Sequence, residues 1–108
     1  MILPTNVNHP KFEVKEENIL FQDARFSVAY SYYEDELRIG MRWNGEDEES
    51  DKGYPISRTR PSWMMFHDVL AIDFLKSMIG KNGAKDEQII QAIHKLKINW
   101  RKKSENMD

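Results

Sequence analysis

The chain contains no cysteine. This absence excludes disulfide bonds, thiolate zinc sites, iron–sulfur clusters and cysteine nucleophiles, and it suits a reducing compartment, so we expect a cytoplasmic location. No stretch reaches the roughly 18 consecutive apolar residues of a membrane span, and the N-terminus lacks a basic region followed by an apolar run. We therefore expect neither membrane insertion nor export.

An excess of charge of one sign is also lacking, since 16 basic and 18 acidic residues leave a formal net charge of −2. The 108 residues are 40% hydrophobic and 31% charged, which is typical of a folded chain, because disordered chains lack the apolar surface to offset their ordering entropy. We expect one domain over residues 1–108. Within it we expect an N-terminal arm (1–11), an acidic flexible loop (46–53) and a frayed tail (104–108).

Sequence motifs of catalysis and metal binding are missing. The histidines, His9, His67 and His94, are too widely spaced for a local ligand pair, and no H-E-x-x-H or EF-hand pattern occurs. The glycines form no P-loop or G-x-G-x-x-G phosphate cradle, and no serine lies in a G-x-S-x-G turn. We therefore expect no cofactor and no metal, and the motifs indicate no known family.

The clearest structural signal is an alternation of apolar residues with polar or small ones. Residues 26–32 and 37–43 each carry an apolar side chain at every second position, which indicates two β-strands. A turn at 33–36 sets a register in which Tyr30 faces Ile39 and every other apolar residue likewise faces an apolar one. Because the turn lacks Asn-Gly or Asp-Gly, we expect a four-residue connection.

The C-terminal half is typical of helices. Residues 68–79 are apolar around most of the helical circumference, which predicts burial on more than one side, and Gly80 ends this helix. Residues 85–102 form a second helix with apolar residues at helical spacing. With a third strand near 62–66, the sequence predicts an α+β fold. It consists of an antiparallel sheet of three to five strands, centred on the hairpin at 25–43, with both helices on one face.

Acid–base chemistry has one candidate, His67, which precedes Asp68 at the start of the first helix. An imidazole beside a carboxylate can titrate near neutral pH, and a metal-independent ribonuclease-like enzyme could combine His67 with Arg58 and Arg60. The favoured interpretation is structural, with the Asp68 carboxylate accepting free backbone amides as a helix cap. We therefore lean away from an enzyme.

Anion binding is a second possibility. Arg38 and Arg42 lie on the polar face of the predicted hairpin, and Arg58 and Arg60 follow in the loop region. Together they could grip phosphate or nucleic acid, although a solvated sheet face is the simpler interpretation. The sequence pI of about 5.9 and the adjacent acidic residues disfavour nucleic acid as a partner.

The aromatic and methionine residues near the end of the sheet suggest a binding surface. They are Trp43, Tyr54, Trp63, Met64, Met65 and Phe66. Consecutive apolar residues at 63–66 cannot all face one side of a sheet, so some apolar area falls on its second face. Burial under a loop is the favoured outcome there, and cover by a partner chain is the alternative. Aromatic and Met side chains are enriched where proteins dock. We predict a small non-enzymatic cytoplasmic interaction protein that binds a partner protein or itself through Tyr54, Trp63, Met64 and Met65.

The acidic loop has two interpretations of its own. Five of the six residues at 46–51 are carboxylates, and such a run is ordinarily a solubilising tip on the surface. It could instead attract a basic site on a partner by imitating nucleic-acid phosphates.

Overall fold

The computed structural model describes residues 3–7, 12–45, 51–57 and 60–105, without the side chains of residues 60, 68 and 100–105. Its strands come first and its helices last, which confirms the predicted α+β fold. In chain order, the elements are β1 (Ile19–Gln22), β2 (Phe26–Tyr33), β3 (Glu36–Trp43), β4 (Ile56–Ser57), β5 (Arg60–Pro61), β6 (Met64–Met65), α1 (Asp68–Met78) and α2 (Asp86–Glu105). Short 3-10 turns lie at Pro4–Asn6 and Glu16–Asn18.

The main sheet is antiparallel and has the strand order β1-β2-β3-β6, within the predicted range of three to five strands. β4 and β5 form a separate two-stranded sheet. The β2–β3 hairpin has the predicted register, because Tyr30 lies opposite Ile39 and Phe26 lies opposite Trp43. Period-two alternation fixes this register, since a slip by one residue would turn one apolar set to the wrong face.

The hairpin connection is shorter than predicted. Tyr33 pairs with Glu36, so only Glu34 and Asp35 form the loop, with φ angles of 52° and 65°. Two successive residues in the left-handed region are characteristic of a type I′ turn, whose twist matches that of the strands. The cross-strand pairing therefore outweighs the preference of Glu34 for negative φ.

α1 and α2 cover one face of the sheet, and they begin and end close to the predicted ranges of 68–79 and 85–102. Their buried residues recur at helical spacing and meet the alternating apolar residues of the hairpin. This core contains Leu20, Phe21, Val28, Leu37, Ile39, Ala71, Leu75, Met78, Ile89, Ala92, Ile93 and Leu96. The prediction that α1 is buried on more than one side is wrong, since Val69 and Leu70 are exposed.

The opposite face of the sheet, predicted to be polar and solvated, is covered by the N-terminal part of the chain. Its core consists of Val7, Phe12, Val14, Ile19, Ala29 and Trp63. Close approach is possible because Gly40 has no side chain: a Cβ there would lie 3.1 Å from the Phe12 ring and 3.2 Å from Cβ of Trp63. The N-terminal part of the chain therefore buries Ala29 and Trp63 on this face.

Trp63 is not on the surface where the sequence places it. The residue is only 5% exposed, and its ring centroid lies 5.9 Å from that of Phe12. Met65 pairs with Gly40, and Trp63, two residues earlier, projects to the same face of the sheet. The cover provided by Phe12 removes Trp63 from any exposed docking surface.

Several predicted features fall wholly or partly outside the described residues. These are positions 1, 2 and 8–11 of the predicted arm, positions 46–50 of the acidic loop, Arg58, and the last three positions of the predicted tail. Ser104 and Glu105 belong to α2. Among the described helices, none has the length and apolar character needed to cross a membrane.

Candidate functional site

The helix-bearing face of the sheet extends beyond the helices at the Trp43 end of β3. Trp43 projects to the same face as Met41 and Ile39, because side chains alternate along a strand. Ile39 lies in the helix-covered core, Met41 is half-buried, and Trp43 is 53% exposed. Exposure therefore increases along the strand as it leaves the cover of the helices.

Two further segments bring large side chains to this end. The Trp43 amide donates to the Tyr54 carbonyl at 2.8 Å, and the Tyr54 amide donates to the Trp43 carbonyl at 2.9 Å. Met64 pairs with Met41 in the adjoining position. Residues paired in this way carry their side chains on the same face, and Tyr54 and Met64 are 69% and 51% exposed.

These side chains form one surface, which we call the Trp43 patch. It consists of Phe26, Met41, Trp43, Tyr54 and Met64. Phe26 is half-buried, and its ring centroid lies 5.6 Å from that of Trp43 at an interplanar angle of 56°. The patch therefore has a packed base and three exposed members contributed by separate segments of the chain.

A cleft of about 250 Å³ lies at the edge of the patch. Its lining residues are Arg25, Trp43, Gly45, Asp51, Gly53 and Tyr54. Asp51 Oδ1 accepts the Gly53 amide at 3.0 Å. Gly53 has φ of 69°, and a Cβ on it would lie 1.9 Å from the Trp43 carbonyl oxygen, so only glycine fits this close approach. The cleft wall is therefore fixed against the β3 backbone.

Arg42 holds this wall from beneath. It is only 1% exposed, and its guanidinium donates through Nη1 to the Ser62 carbonyl at 2.7 Å and through Nη2 to the Lys52 carbonyl. Its buried Nε has no hydrogen-bond partner among the described residues. Burial lowers the pKa of Arg42 because the charged form loses hydration. Arg42 thus links β3 to both segments that supply the patch, and it does not face an external anion as the sequence suggested.

A second buried polar contact fixes the other side of the cleft. The Ser27 hydroxyl and the Asn44 side chain are hydrogen bonded, with Oγ at 3.0 Å from Oδ1 and 2.8 Å from Nδ2. The backbone amide of Asn44 also donates to the Arg25 carbonyl at 2.6 Å. Both side chains are buried. These hydrogen bonds therefore fix the position of the backbone at Asn44, directly before the lining residue Gly45.

The predicted anion-binding arginines do not converge in the described part of the chain. The Arg38 side chain is 28% exposed and donates to Glu36 Oε2 at 2.5 Å, while Arg42 is buried. Arg58 lies outside the described residues, and Arg60 is described only through its backbone, which pairs with Ser57.

The predicted docking residues divide between two faces. Tyr54 and Met64 belong to the Trp43 patch, whereas Met65, at 37% exposure, pairs with Gly40 on the opposite face. Of the two tryptophans in the predicted aromatic cluster, Trp43 is exposed and Trp63 is buried. The signal that distinguishes Trp43 is its place as the last alternating residue of β3, directly before Asn44-Gly45.

His67 has a structural role in α1. It is the N-cap residue, and its Nδ1 accepts the Val69 amide at 3.3 Å. The prediction that Asp68 is the cap residue is therefore wrong. The helix is capped by the neighbouring His67, and Asp68 is its first residue. Among the described residues, no group of three or more His, Cys, Asp or Glu side chains could hold a metal ion.

No family model, curated protein or solved structure matches this chain. The Trp43 patch and its cleft are therefore the basis for inferring function.

Proposed function

We propose that this chain is a small non-enzymatic interaction module of the cytoplasm that binds a partner protein through the Trp43 patch. One observation carries the proposal: Trp43, Tyr54 and Met64 come from three segments, share one face and are each more than half exposed. Aromatic and Met side chains grouped in this way are typical of the centre of a protein interface. The cytoplasmic setting is supported by the absence of cysteine.

The patch is supported by hydrogen bonds that keep its members in place before any partner arrives. The Trp43 backbone pairs with Phe26 on one side and Tyr54 on the other, and Arg42 holds the carbonyl next to Gly53. A preorganised aromatic surface loses little conformational entropy on binding, which favours affinity. The geometry therefore suits recognition better than a mobile loop would.

A catalytic role has less support. His67 already accepts the Val69 amide as the α1 cap, and the buried Arg42 directs its guanidinium at backbone carbonyls. Nδ1 of His67 and the guanidinium of Arg42 are thus engaged with the backbone of the chain itself, and neither residue lines the cleft beside the Trp43 patch. Binding through exposed apolar side chains is the function that this surface supports best.

The test is affinity capture from a lysate with the paired variant Trp43→Ala/Tyr54→Ala. We expect it to lose the partner retained by the wild type, while Tyr32→Ala and Leu70→Ala retain it. Both control residues are large, apolar in character and more than half exposed, and Tyr32 lies at the far end of the hairpin from Trp43. Circular dichroism should show that all variants keep the fold.

Capture that is equal for the wild type and the paired variant would contradict the proposal. Sedimentation of the purified chain would reveal self-association, which the paired variant should abolish if a second copy is the partner. Loss of capture in Tyr32→Ala as well would indicate nonspecific binding through exposed apolar residues. That result would also count against a defined site.

A further inference from the structure

The Trp43 patch exposes too little apolar area for two folded proteins to bind stably through it alone. Its exposed members, Trp43, Tyr54 and Met64, are each more than half exposed. Because an aromatic side chain offers about 150–250 Å², the exposed parts of the three together amount to about 300–400 Å². One partner in a standard interface buries about 800 Å². The patch therefore has the size of a site for a short segment of a partner chain.

The cleft beside the patch is lined by two aromatic rings. Its volume of about 250 Å³ is below the roughly 300–1,000 Å³ of ordinary small-molecule pockets. The lining residues Trp43 and Tyr54 exchange two backbone hydrogen bonds. Residues paired in this way have Cα atoms about 5.5 Å apart and carry their side chains on one face. Two partly exposed rings therefore lie side by side, and a small apolar ring of a partner can contact both.

The charged residues that line the cleft balance each other. Arg25 and Asp51 contribute one charge of each sign, and the other described lining residues are uncharged. A charged occupant of either sign would meet an opposing charge as well as an attracting one. The two rings instead offer neutral donors, the indole N–H of Trp43 and the phenol O–H of Tyr54. These donors suit the carbonyl oxygens of an uncharged backbone.

A polyproline II segment combines the properties that the cleft and the patch favour. Its proline rings are apolar, and its carbonyls are free to accept because this helix has no internal hydrogen bonds. Aromatic-lined grooves are the surfaces to which such segments dock. Tyr54 and Met64 pair with β3 residues two positions apart, which is about 7 Å. Since polyproline II rises about 3.1 Å per residue, this span matches about three residues of the segment.

We propose that the Trp43 patch and its cleft bind an uncharged, proline-rich segment of a partner protein in the polyproline II conformation. The proline rings lie against Trp43 and Tyr54, and the segment's carbonyls accept the indole N–H and the phenol O–H. This inference rests on the proposed function and adds the chemistry of the partner. Because no net charge holds the segment, its binding depends little on salt.

The experiment is fluorescence anisotropy of fluorescein-labelled decaproline, titrated with the full chain. Trp43→Ala and Tyr54→Ala should each weaken binding about tenfold or more, because each removes a ring from the cleft. Trp43→Phe and Tyr54→Phe keep a ring and remove one donor, so each should weaken binding about two- to tenfold. Tyr32→Ala and Leu70→Ala are the matched controls. Both replace exposed residues outside the patch and should bind like the wild type.

Three further comparisons test the conformation and the charge of the segment. A decamer of alternating glycine and serine with the same label is a flexible coil and should not bind. Raising the salt from about 50 to about 300 mM should change the affinity for decaproline by less than about twofold, although it screens exposed charges strongly. Decamers of alternating lysine and glycine, or glutamate and glycine, should bind more weakly than decaproline.

Four results would overturn the inference. Equal binding of decaproline by the wild type, Trp43→Ala and Tyr54→Ala would place the segment elsewhere. Tighter binding of either charged decamer would make the occupant a charged segment. Self-association that Trp43→Ala abolishes, together with no binding of decaproline, would make the occupant a second copy. Failure of decaproline to bind, while Trp43→Ala/Tyr54→Ala still loses the captured partner, would exclude the proline-rich segment and leave the proposed function standing.

Discussion

Replacing the buried Arg42 by methionine tests how the patch is held in place. Methionine is unbranched like the arginine stem, but it ends two atoms short of the Nη atoms and has no donors. The carbonyls of Ser62 and Lys52 therefore lose the guanidinium from which they accept. Hydrogen bonds to a charged group contribute about 1.5–3 kcal/mol each. The two together stabilise the fold by about 3–6 kcal/mol before the cost of burying the charge is subtracted.

That cost is substantial, because burying a charged group removes several kcal/mol of hydration. Arg42 is 1% exposed and its Nε has no partner among the described residues, so part of this cost is uncompensated. Methionine avoids it but leaves two carbonyls without a donor, at about 1–3 kcal/mol each. We expect Arg42→Met to lower the free energy of unfolding by about 2–4 kcal/mol, a large share of the roughly 5–15 kcal/mol of a typical domain.

Urea unfolding followed by tryptophan fluorescence measures this change. With a slope of about 2 kcal/mol per molar urea, in the middle of the typical range of about 1–3, the midpoint should fall by about 1–2 M. The matched control is Arg38→Met on the same strand and face, whose partly exposed pair with Glu36 should contribute less than about 1 kcal/mol. Hydrogen exchange should also become faster at the Tyr54 amide, which donates to Trp43 next to the released segment.

An unchanged or higher urea midpoint for Arg42→Met would refute this reasoning. It would mean that dehydration of the guanidinium exceeds its hydrogen bonds, as happens for some buried ion pairs replaced by apolar residues. Unchanged exchange at the Tyr54 amide would separately show that Arg42 does not hold the cleft wall.

The remaining predictions concern backbone and cap positions. Gly40→Ala places a methyl group 3.1 Å from the Phe12 ring, and the overpacking should destabilise the chain by about 1–3 kcal/mol in urea unfolding; a neutral result would show that the N-terminal cover shifts freely. His67→Asp should stabilise α1 by about 0.5–1 kcal/mol, because Asp is a better N-cap than the imidazole at 3.3 Å from the Val69 amide. Thermal unfolding checks this second change, and a lower midpoint would show that His67 contributes more than the cap.

The hairpin and the helices could be predicted because their signals are local. Alternation fixed which residues of β2 and β3 share a face, and the pairing of Tyr30 with Ile39 follows from it. The turn length could not be predicted in the same way, since Glu34 and Asp35 adopt positive φ only because the strands continue to pair up to Tyr33 and Glu36.

The candidate site was only partly predictable. Trp43, Tyr54 and Met64 of the predicted cluster are exposed, but Trp63 is buried. Both tryptophans lie in or beside strands near the same end of the sheet. The strand pattern alone does not reveal how far the helices or the N-terminal part of the chain extend over each face. Phe12 reaches Trp63 across Gly40, whereas the helices stop short of Trp43. Such contacts join residues far apart in the chain, so no local pattern encodes them.

The sequence by itself determined the α+β order, the strand register and the helix-bearing face, because side-chain periodicity of two or 3.6 residues is set by backbone geometry. Tertiary structure alone decided which polar residues are internal. Arg42 lies on the face that alternation marks as polar. It is buried because the N-terminal part of the chain packs on that face and because Lys52 and Ser62 approach its guanidinium. Burial depends on what packs above a side chain, and that is a property of the whole fold.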